Sequence, residues 1–70
     1  MTPKLTEAEF IAGNPLPFTG LDGRRYVATY CAHRSPPFLR IEQDGETITA
    51  PIMAEHEART FYQHSGESRR

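Results

Sequence analysis

Seventy residues are enough for one small domain, and a chain of this length buries only about 60% of the surface that its unfolded form exposes. Hydrophobic residues make up 37% of the chain and charged residues 24%, which excludes the low-hydrophobicity, high-charge composition of a disordered protein. The formal net charge of −1 also differs from the strongly basic balance expected of a nucleic-acid-binding domain.

The cellular compartment is suggested by two features of the sequence. Cys31 is the only cysteine, so the chain cannot form an internal disulfide, which fits a reducing environment. The first ten residues, MTPKLTEAEF, lack the apolar run of a signal peptide, and no charge-free stretch is long enough to span a bilayer. We therefore expect a soluble, cytoplasmic protein with no membrane partner.

The first predicted element is a short helix that begins at Glu7. Thr6 and Glu9 have the spacing of a capping box, in which each residue's side chain bonds to the other's backbone amide. Leu5 and Phe10 flank this box at the positions of a hydrophobic staple. The Gly-Asn-Pro sequence that follows is predicted to end the helix after about two turns.

Residues 14–23 contain two prolines and two glycines and are predicted to be a connector that places apolar side chains on the core. Residues 24–32 are predicted to form a strand, because they are rich in β-branched and aromatic residues and contain neither Gly nor Pro. We place this strand at a sheet edge guarded by Arg24 and Arg25. Its unpaired backbone groups would accept a strand from a partner, or from a second copy in a homodimer through strand 24–32.

A hairpin is predicted where Asp44 and Gly45 separate two alternating runs, residues 38–43 and 46–52. The Asp-Gly pair is typical of a type I′ turn. A two-residue loop predicts three cross-strand pairs, with the apolar partners on one face: Gln43 with Glu46, Ile41 with Ile48, and Leu39 with Ala50. Pro51 indicates that the last strand is also an edge strand.

Residues 53–64 are predicted to form the second helix. Four apolar side chains share one face at helical spacing: Ala54, Ala58, Phe61 and Tyr62. Gly66 is the predicted C-terminal cap. The predicted fold is α+β, in the order α-β-β-β-α, with a three-stranded antiparallel meander and the helices packed on one face. This single domain spans residues 5–66, between flexible segments at residues 1–4 and 67–70.

Charge is segregated along the chain. Four arginines and no acid lie between Arg24 and Arg40, whereas five acids and neither Lys nor Arg lie between Glu42 and Glu57. This pattern predicts a basic surface on the first two strands and a secondary acidic patch at the hairpin. The acidic patch comprises Glu42, Asp44 and Glu46.

Aromatic and basic residues on the first two strands are the predicted partner-binding site: Arg24, Arg25, Tyr26, Tyr30, Arg34, Phe38 and Arg40. Two arrangements of strand 24–32 remain open. If Val27 and Cys31 face the helices, the tyrosines lie on an exposed aromatic-basic face that stacks bases or anchors a protein partner. If the tyrosines face the helices, they fill the core instead.

Metal and catalytic sites receive little support from the sequence. Four side chains are potential zinc ligands: Cys31, His33, His56 and His64. The two helical histidines lie eight residues apart, which is too far for both to bind one ion. No Walker loop, GxGxxG, GxSxG or HExxH pattern occurs, and so small a domain has little interior for a substrate pocket. We therefore predict no enzyme, no cofactor and no metal.

A compact α+β unit with two blocks of opposite charge and no catalytic constellation resembles small stand-alone inhibitors and adaptors of phages and mobile elements, anti-defence proteins among them. On this basis we expect a non-enzymatic protein-binding module that occludes a surface of a larger host or complex protein. The alternative is a small RNA- or DNA-binding domain that uses the aromatic-basic face. The acidic patch disfavours it, because carboxylates repel a phosphate backbone.

Overall fold

The computed structural model describes residues 5–65, which form a small α+β domain. Its elements are α1 (Glu7–Ile11), β1 (Leu16–Thr19), β2 (Arg25–Cys31), β3 (Phe38–Gln43), β4 (Glu46–Thr49) and α2 (Glu55–His64). The four strands form one antiparallel sheet in the order β1-β2-β3-β4. The predicted flexible segments and the Gly66 cap lie outside the described residues.

The start of α1 is the predicted one. The Thr6 hydroxyl accepts a hydrogen bond from the Glu9 amide at 3.2 Å, and the Thr6 amide donates to the Glu9 carboxylate at 2.9 Å. This capping box satisfies two amides that the first helical turn would otherwise leave without partners. Gly13 adopts a φ of 110°, which lets the chain turn away after a helix of only five residues.

The predicted connector at residues 14–23 contains a fourth strand, β1, so the three-stranded prediction was wrong. β1 pairs with β2 from Leu16 opposite Ala28 to Thr19 opposite Arg25. Pro17 was interpreted as a turn signal because it has no N–H to donate. At a sheet edge a strand tolerates this loss, since one side of its backbone needs no ladder partner.

The position of β2 also differs from the prediction. β1 pairs with residues 25–28 and β3 pairs with residues 27–31, so β2 lies inside the sheet and not at its edge. Only its last three residues lack a strand on the β1 side. The predicted homodimer through strand 24–32 therefore has no continuous free edge, and β1 and β4 form the edges of the sheet.

The β3–β4 hairpin has the predicted turn but not the predicted register. Asp44 and Gly45 have φ angles of 54° and 82°, as a type I′ turn requires, and Gln43 pairs with Glu46. A β-bulge then places Thr49, not Ile48, opposite Ile41.

The bulge overturns the two other predicted pairs, Ile41 with Ile48 and Leu39 with Ala50. The Leu39 amide instead donates to the Pro51 carbonyl at 2.9 Å. Ile41 packs against the core, whereas Ile48 is 53% exposed. The extra residue breaks the strict alternation on which the register prediction depended.

The core lies between the helices and one face of the sheet. Its buried members come from five elements: Phe10, Leu16, Ala28, Tyr30, Leu39 and Ala58. The ring of Phe10 is fully buried and stacks against three other aromatic rings, with centroid distances of 6.4 Å to Tyr30, 6.0 Å to Phe61 and 5.9 Å to Tyr62. Phe10 is therefore the centre at which both helices meet the sheet.

The helix α2 begins at Glu55, two residues later than predicted. Its N-cap is Ala54, whose amide donates to the Glu57 carboxylate at 2.8 Å. Ala58 is buried, and Phe61 and Tyr62 pack against the core, which confirms three residues of the predicted apolar face, whereas Ala54 precedes the helix as its N-cap. Glutamate side chains in the first turn compensate for the missing Ser, Thr, Asp or Asn at the cap.

Polar contacts join α1 to α2 outside the core. The Arg59 guanidinium lies 2.8 Å from the Glu7 carboxylate and 2.7 Å from that of Glu55. The hydrogen bond from Arg59 lowers the pKa of Glu7 below its ordinary value, and Gln63 contributes in the same direction. The Tyr62 hydroxyl also donates to the Leu5 carbonyl, which ties the start of α1 to α2.

We expect Phe10→Ala to lower the free energy of unfolding by about 3–5 kcal/mol, because it removes a fully buried ring and leaves a cavity. A domain of this size has only about that much stability, so the variant should be largely unfolded at 25 °C. Denaturant titrations measure this loss. Leu21→Ala is the control, because Leu21 is fully exposed and should change the stability by less than about 0.5 kcal/mol. A loss below about 1 kcal/mol in Phe10→Ala would contradict the central role of this ring.

We also expect Glu7→Gln to lower the Tm at neutral pH. The folded-state pKa of Glu7 is depressed, so its stabilising contribution is complete above the ordinary pKa of 4.5 and is lost as the pH falls through the folded-state value. The Tm difference between Glu7→Gln and the wild type should therefore shrink at acidic pH. Glu46→Gln removes an exposed carboxylate that has no ion pair within residues 5–65, and it should leave the neutral-pH Tm nearly unchanged. A Tm difference that is independent of pH would contradict the Glu7–Arg59 interaction.

Candidate functional site

The sheet has one face without a helix, here called the open face. The strand register places alternate side chains of β2 and β3 together on it: Val27 with Glu42, Thr29 with Arg40, and Cys31 with Phe38. Beyond β4 the chain continues beside β3, and Ile52 pairs with Phe38. The open face is therefore polar at its centre and apolar at the end formed by Phe38 and Ile52.

The two tyrosines of β2 face the helices, so the second of the two predicted arrangements is the observed one. Tyr30 is only 2% exposed, and its hydroxyl donates to the Met53 carbonyl at 2.9 Å. Burial raises the pKa of Tyr30, with smaller contributions from Glu55 and Glu57. The fully exposed aromatic-basic face is consequently not formed, and Tyr30 is not available to a partner.

Tyr26 is half-buried on the same side, at the margin of the core. Its ring stacks on Phe18 at 5.7 Å, and its hydroxyl donates to the Asp22 carboxylate at 2.7 Å. This bond raises the pKa of Tyr26 and lowers that of Asp22. The ring passes close to Gly20, where an added Cβ would lie 2.5 Å from a ring carbon. Tyr26 therefore holds the turn between β1 and β2 and offers little free surface to a partner.

Three of the four predicted arginines are engaged within the molecule. The Arg24 guanidinium lies 4.0 Å from Asp22, and that of Arg40 lies 3.1 Å from Glu42. Arg25 donates to the Thr19 hydroxyl at 3.5 Å. Arg34 is exposed in the loop between β2 and β3, and its guanidinium has no partner within residues 5–65.

The charge segregation of the sequence does not persist in the fold. Glu42 of the predicted acidic patch lies beside Arg40 on the open face. The register that pairs Val27 with Glu42 also brings the start of β2 close to the Asp44 turn. The antiparallel meander therefore interleaves the basic and acidic blocks, because it folds the second block back along the first.

An apolar cleft opens at the end of the open face, beside Arg34. It has a volume of about 480 Å³ and is lined by six residues: Arg34, Ser35, Pro36, Phe38, Ala50 and Ile52. Ile52 is 71% exposed and lies beside the apolar side chains of Pro36, Phe38 and Ala50. Contiguous exposed apolar patches of this kind are uncommon on soluble proteins unless they serve an interaction. Sequence reasoning included Arg34 and Phe38 but missed Ala50 and Ile52, because it assigned the strand that carries them to the core.

The potential zinc ligands are not brought together. Cys31 is buried, while His33 is exposed near a second cleft of about 520 Å³ at the end of α1. His56 and His64 lie on α2. Within residues 5–65 there is no cluster of three His, Cys, Asp or Glu side chains that could hold a metal ion.

No helix in the described part of the chain is long and apolar enough to cross a membrane. A comparison of the chain with protein-family models, curated proteins and solved structures found no match in any of the three. The case for a function therefore depends on the geometry of the open face and the apolar cleft.

We expect Gly20→Ala to destabilise the fold by about 1–3 kcal/mol, because the new methyl group overlaps the Tyr26 ring. Phe18 on one side and the bond to Asp22 at its end limit how far this ring can move. Denaturant titrations of the two single variants and of the Gly20→Ala, Tyr26→Ala double variant form a double-mutant cycle. The cost of Gly20→Ala should largely disappear in the Tyr26→Ala background. An equal cost in both backgrounds would show that the Tyr26 ring does not determine the need for glycine.

Proposed function

We propose that this protein is a non-enzymatic protein-binding module that uses the apolar cleft and the adjoining open face to cover a surface of a larger protein. The observation that supports this most directly is the exposure of Ile52 beside Phe38 and Arg34, whose guanidinium has no partner within residues 5–65. Exposed apolar side chains that lie together and are bordered by polar groups are typical of protein interaction sites. A partner that covered Ile52 would remove its apolar surface from water, which is favourable.

The rest of the open face has the composition of an interface margin. Arg40, Thr29 and Glu42 follow along the open face from the cleft toward the hairpin and remain at least partly exposed. Such a polar margin provides hydrogen bonds around an apolar centre and fixes the orientation of the partner. A module of this kind could act as an inhibitor, by occluding the surface to which it binds.

The predicted partner-binding residues divide into two groups. Arg34, Phe38 and Arg40 lie at or beside the apolar cleft and belong to this proposal. Arg24, Arg25 and Tyr26 lie at the opposite end of β2, and Tyr30 is buried. The proposed interface therefore includes the predicted residues of the β2–β3 loop and β3, and it excludes the predicted residues at the basic end of β2.

The alternative of an RNA- or DNA-binding domain has less support. Base stacking requires exposed aromatic rings, whereas Tyr30 is buried and Tyr26 is held against Phe18. Phosphate binding requires free cations, whereas Arg40 is paired with Glu42. The observed arrangement of these side chains fits a protein surface better than a nucleic-acid backbone.

The test is a capture experiment from a lysate of the native host with immobilised wild-type protein and two matched variants. Ile52→Asp places a charge in the proposed interface, whereas Leu21→Asp places the same charge on a fully exposed side chain in the β1–β2 turn. We expect one defined partner protein to bind to the wild type and to Leu21→Asp. Its binding to Ile52→Asp should be at least about tenfold weaker, because an apolar contact is replaced by a buried charge.

Two results would contradict the proposed function. One is a partner that binds Ile52→Asp and the wild type equally well. The other is the capture of nucleic acid, with an affinity that falls steeply as the salt concentration rises. Circular dichroism of both aspartate variants should match the wild type, because each substitution is at an exposed position.

A further inference from the structure

We propose that the apolar cleft binds an extended internal segment of the partner protein that carries a large apolar side chain two residues from an aspartate or glutamate, so that both side chains point to the same face. The apolar side chain occupies the cleft, the carboxylate pairs with Arg34, and the backbone of the segment adds to the sheet edge at Ala50 and Ile52. This inference rests on the proposed function and specifies the chemistry of the partner.

The edge of the sheet at residues 50–52 offers free backbone groups. The Pro51 carbonyl accepts from the Leu39 amide at 2.9 Å, and the Met53 amide donates to the Pro37 carbonyl at 3.0 Å, so both residues turn their backbone groups toward β3. Backbone groups alternate in direction along a strand, so those of Ala50 and Ile52 point away from β3. They make no backbone hydrogen bond within residues 5–65.

Pro51 does not block this edge. Proline in an edge strand commonly prevents further pairing because it lacks an N–H group. Here the nitrogen of Pro51 lies on the side of β3, as its carbonyl shows, and the outer side keeps the amides of Ala50 and Ile52. The bulge at Ile48 interrupts the edge toward the hairpin, so strand addition is confined to a short stretch beside the cleft.

The cleft provides the side-chain specificity of this contact. The strand register places Phe38 and Ile52 on the same face, Ala50 lies on that face two residues earlier, and Pro36 also lines the cleft. A peptide that adds as a strand directs alternate side chains to that face, where the cleft can receive one of them. The apolar lining selects a large apolar side chain at this position.

The acidic side chain of the partner segment is inferred from the surroundings of Arg34. Its guanidinium is exposed at the cleft and has no carboxylate partner in the described part of the chain. Arginine binds carboxylates through two parallel hydrogen bonds, which makes an acidic side chain its best match. A second copy of this chain fits this chemistry poorly, because residues 49–53, which would add as the strand, contain no carboxylate to pair with Arg34.

The test uses short synthetic peptides with acetylated and amidated ends, so that the only carboxylate is on a side chain. Each peptide has β-branched residues and one phenylalanine, and the second residue after the phenylalanine is either aspartate or asparagine. Titration into the ¹⁵N-labelled full chain gives the Kd by NMR. We expect shifts of the Ala50, Ile52 and Phe38 amides, and binding of the asparagine peptide that is at least about tenfold weaker.

Three variants of the protein separate the parts of the contact. Arg34→Gln should remove the difference between the two peptides, while Arg24→Gln, an exposed arginine at the other end of β2, should preserve it. Ile52→Asp should weaken the binding of both peptides. Arg34 and Ile52 are exposed, so their variants should remain folded, and the NMR spectrum verifies this directly.

Several outcomes would overturn the inference: equal affinity for the aspartate and asparagine peptides, a preference that survives Arg34→Gln, or no binding at millimolar peptide. Binding that appears only with a free C-terminal carboxylate would assign Arg34 to a chain terminus instead. Shifts at Ala50 and Ile52 that depend on protein concentration without peptide would identify a second copy as the occupant. If no peptide binds but capture of a partner protein still depends on Ile52, only this inference is wrong. If the captured protein also binds Ile52→Asp as well as the wild type, the proposed function is wrong too.

Discussion

The burial of the Phe10 ring is the interaction on which the rest of this structure depends. It stacks on Tyr30 from the sheet and on Phe61 and Tyr62 from α2. The chain contains four phenylalanines and three tyrosines, and all of them except Phe38 lie on the helix side of the sheet. Since a chain of this size has too few large side chains to cover both faces, the face opposite the helices stays open. The small number of large side chains therefore confines the core to one face of the sheet and leaves Phe38 and Ile52 available to another molecule.

Features that are encoded by neighbouring residues were predictable from the sequence. Thr6 and Glu9 define the start of α1 by themselves, and Asp44 with Gly45 defines the hairpin turn, because each depends on local backbone conformation. The strand β1 was not predictable in the same way, because the tolerance of Pro17 depends on its being at a sheet edge. The bulge at Ile48 was also missed. Alternating polarity determines which face a regular strand buries, but it contains no signal for one extra residue in the ladder.

The candidate site was predictable in part, for related reasons. In β2 the two sets of alternate residues both contain apolar side chains, so the pattern left the facing of Tyr26 and Tyr30 undecided. In the structure, the small Ala28 between them is fully buried, which allows the helices to approach and to use the tyrosines as core. Arg34 and Phe38 were identified because they belong to the acid-free run of aromatic and basic residues between Arg24 and Arg40. Ile52 was missed, because the bulge at Ile48 turns Ala50 and Ile52 to the open face, whereas the predicted register placed Ala50 on the core side with Leu39.

The meander also determines how the chain can acquire its structure during synthesis. Every strand pairs with the strand that precedes it, so the sheet can assemble in the order in which it leaves the ribosome. The contact between α1 and α2 is different, because Arg59 reaches back 52 residues to Glu7. Before α2 packs, nothing in residues 5–52 covers the aromatic rings that α1 and the sheet share with it. A chain whose sheet forms first therefore exposes this apolar surface to chaperones and proteases until α2 packs against it.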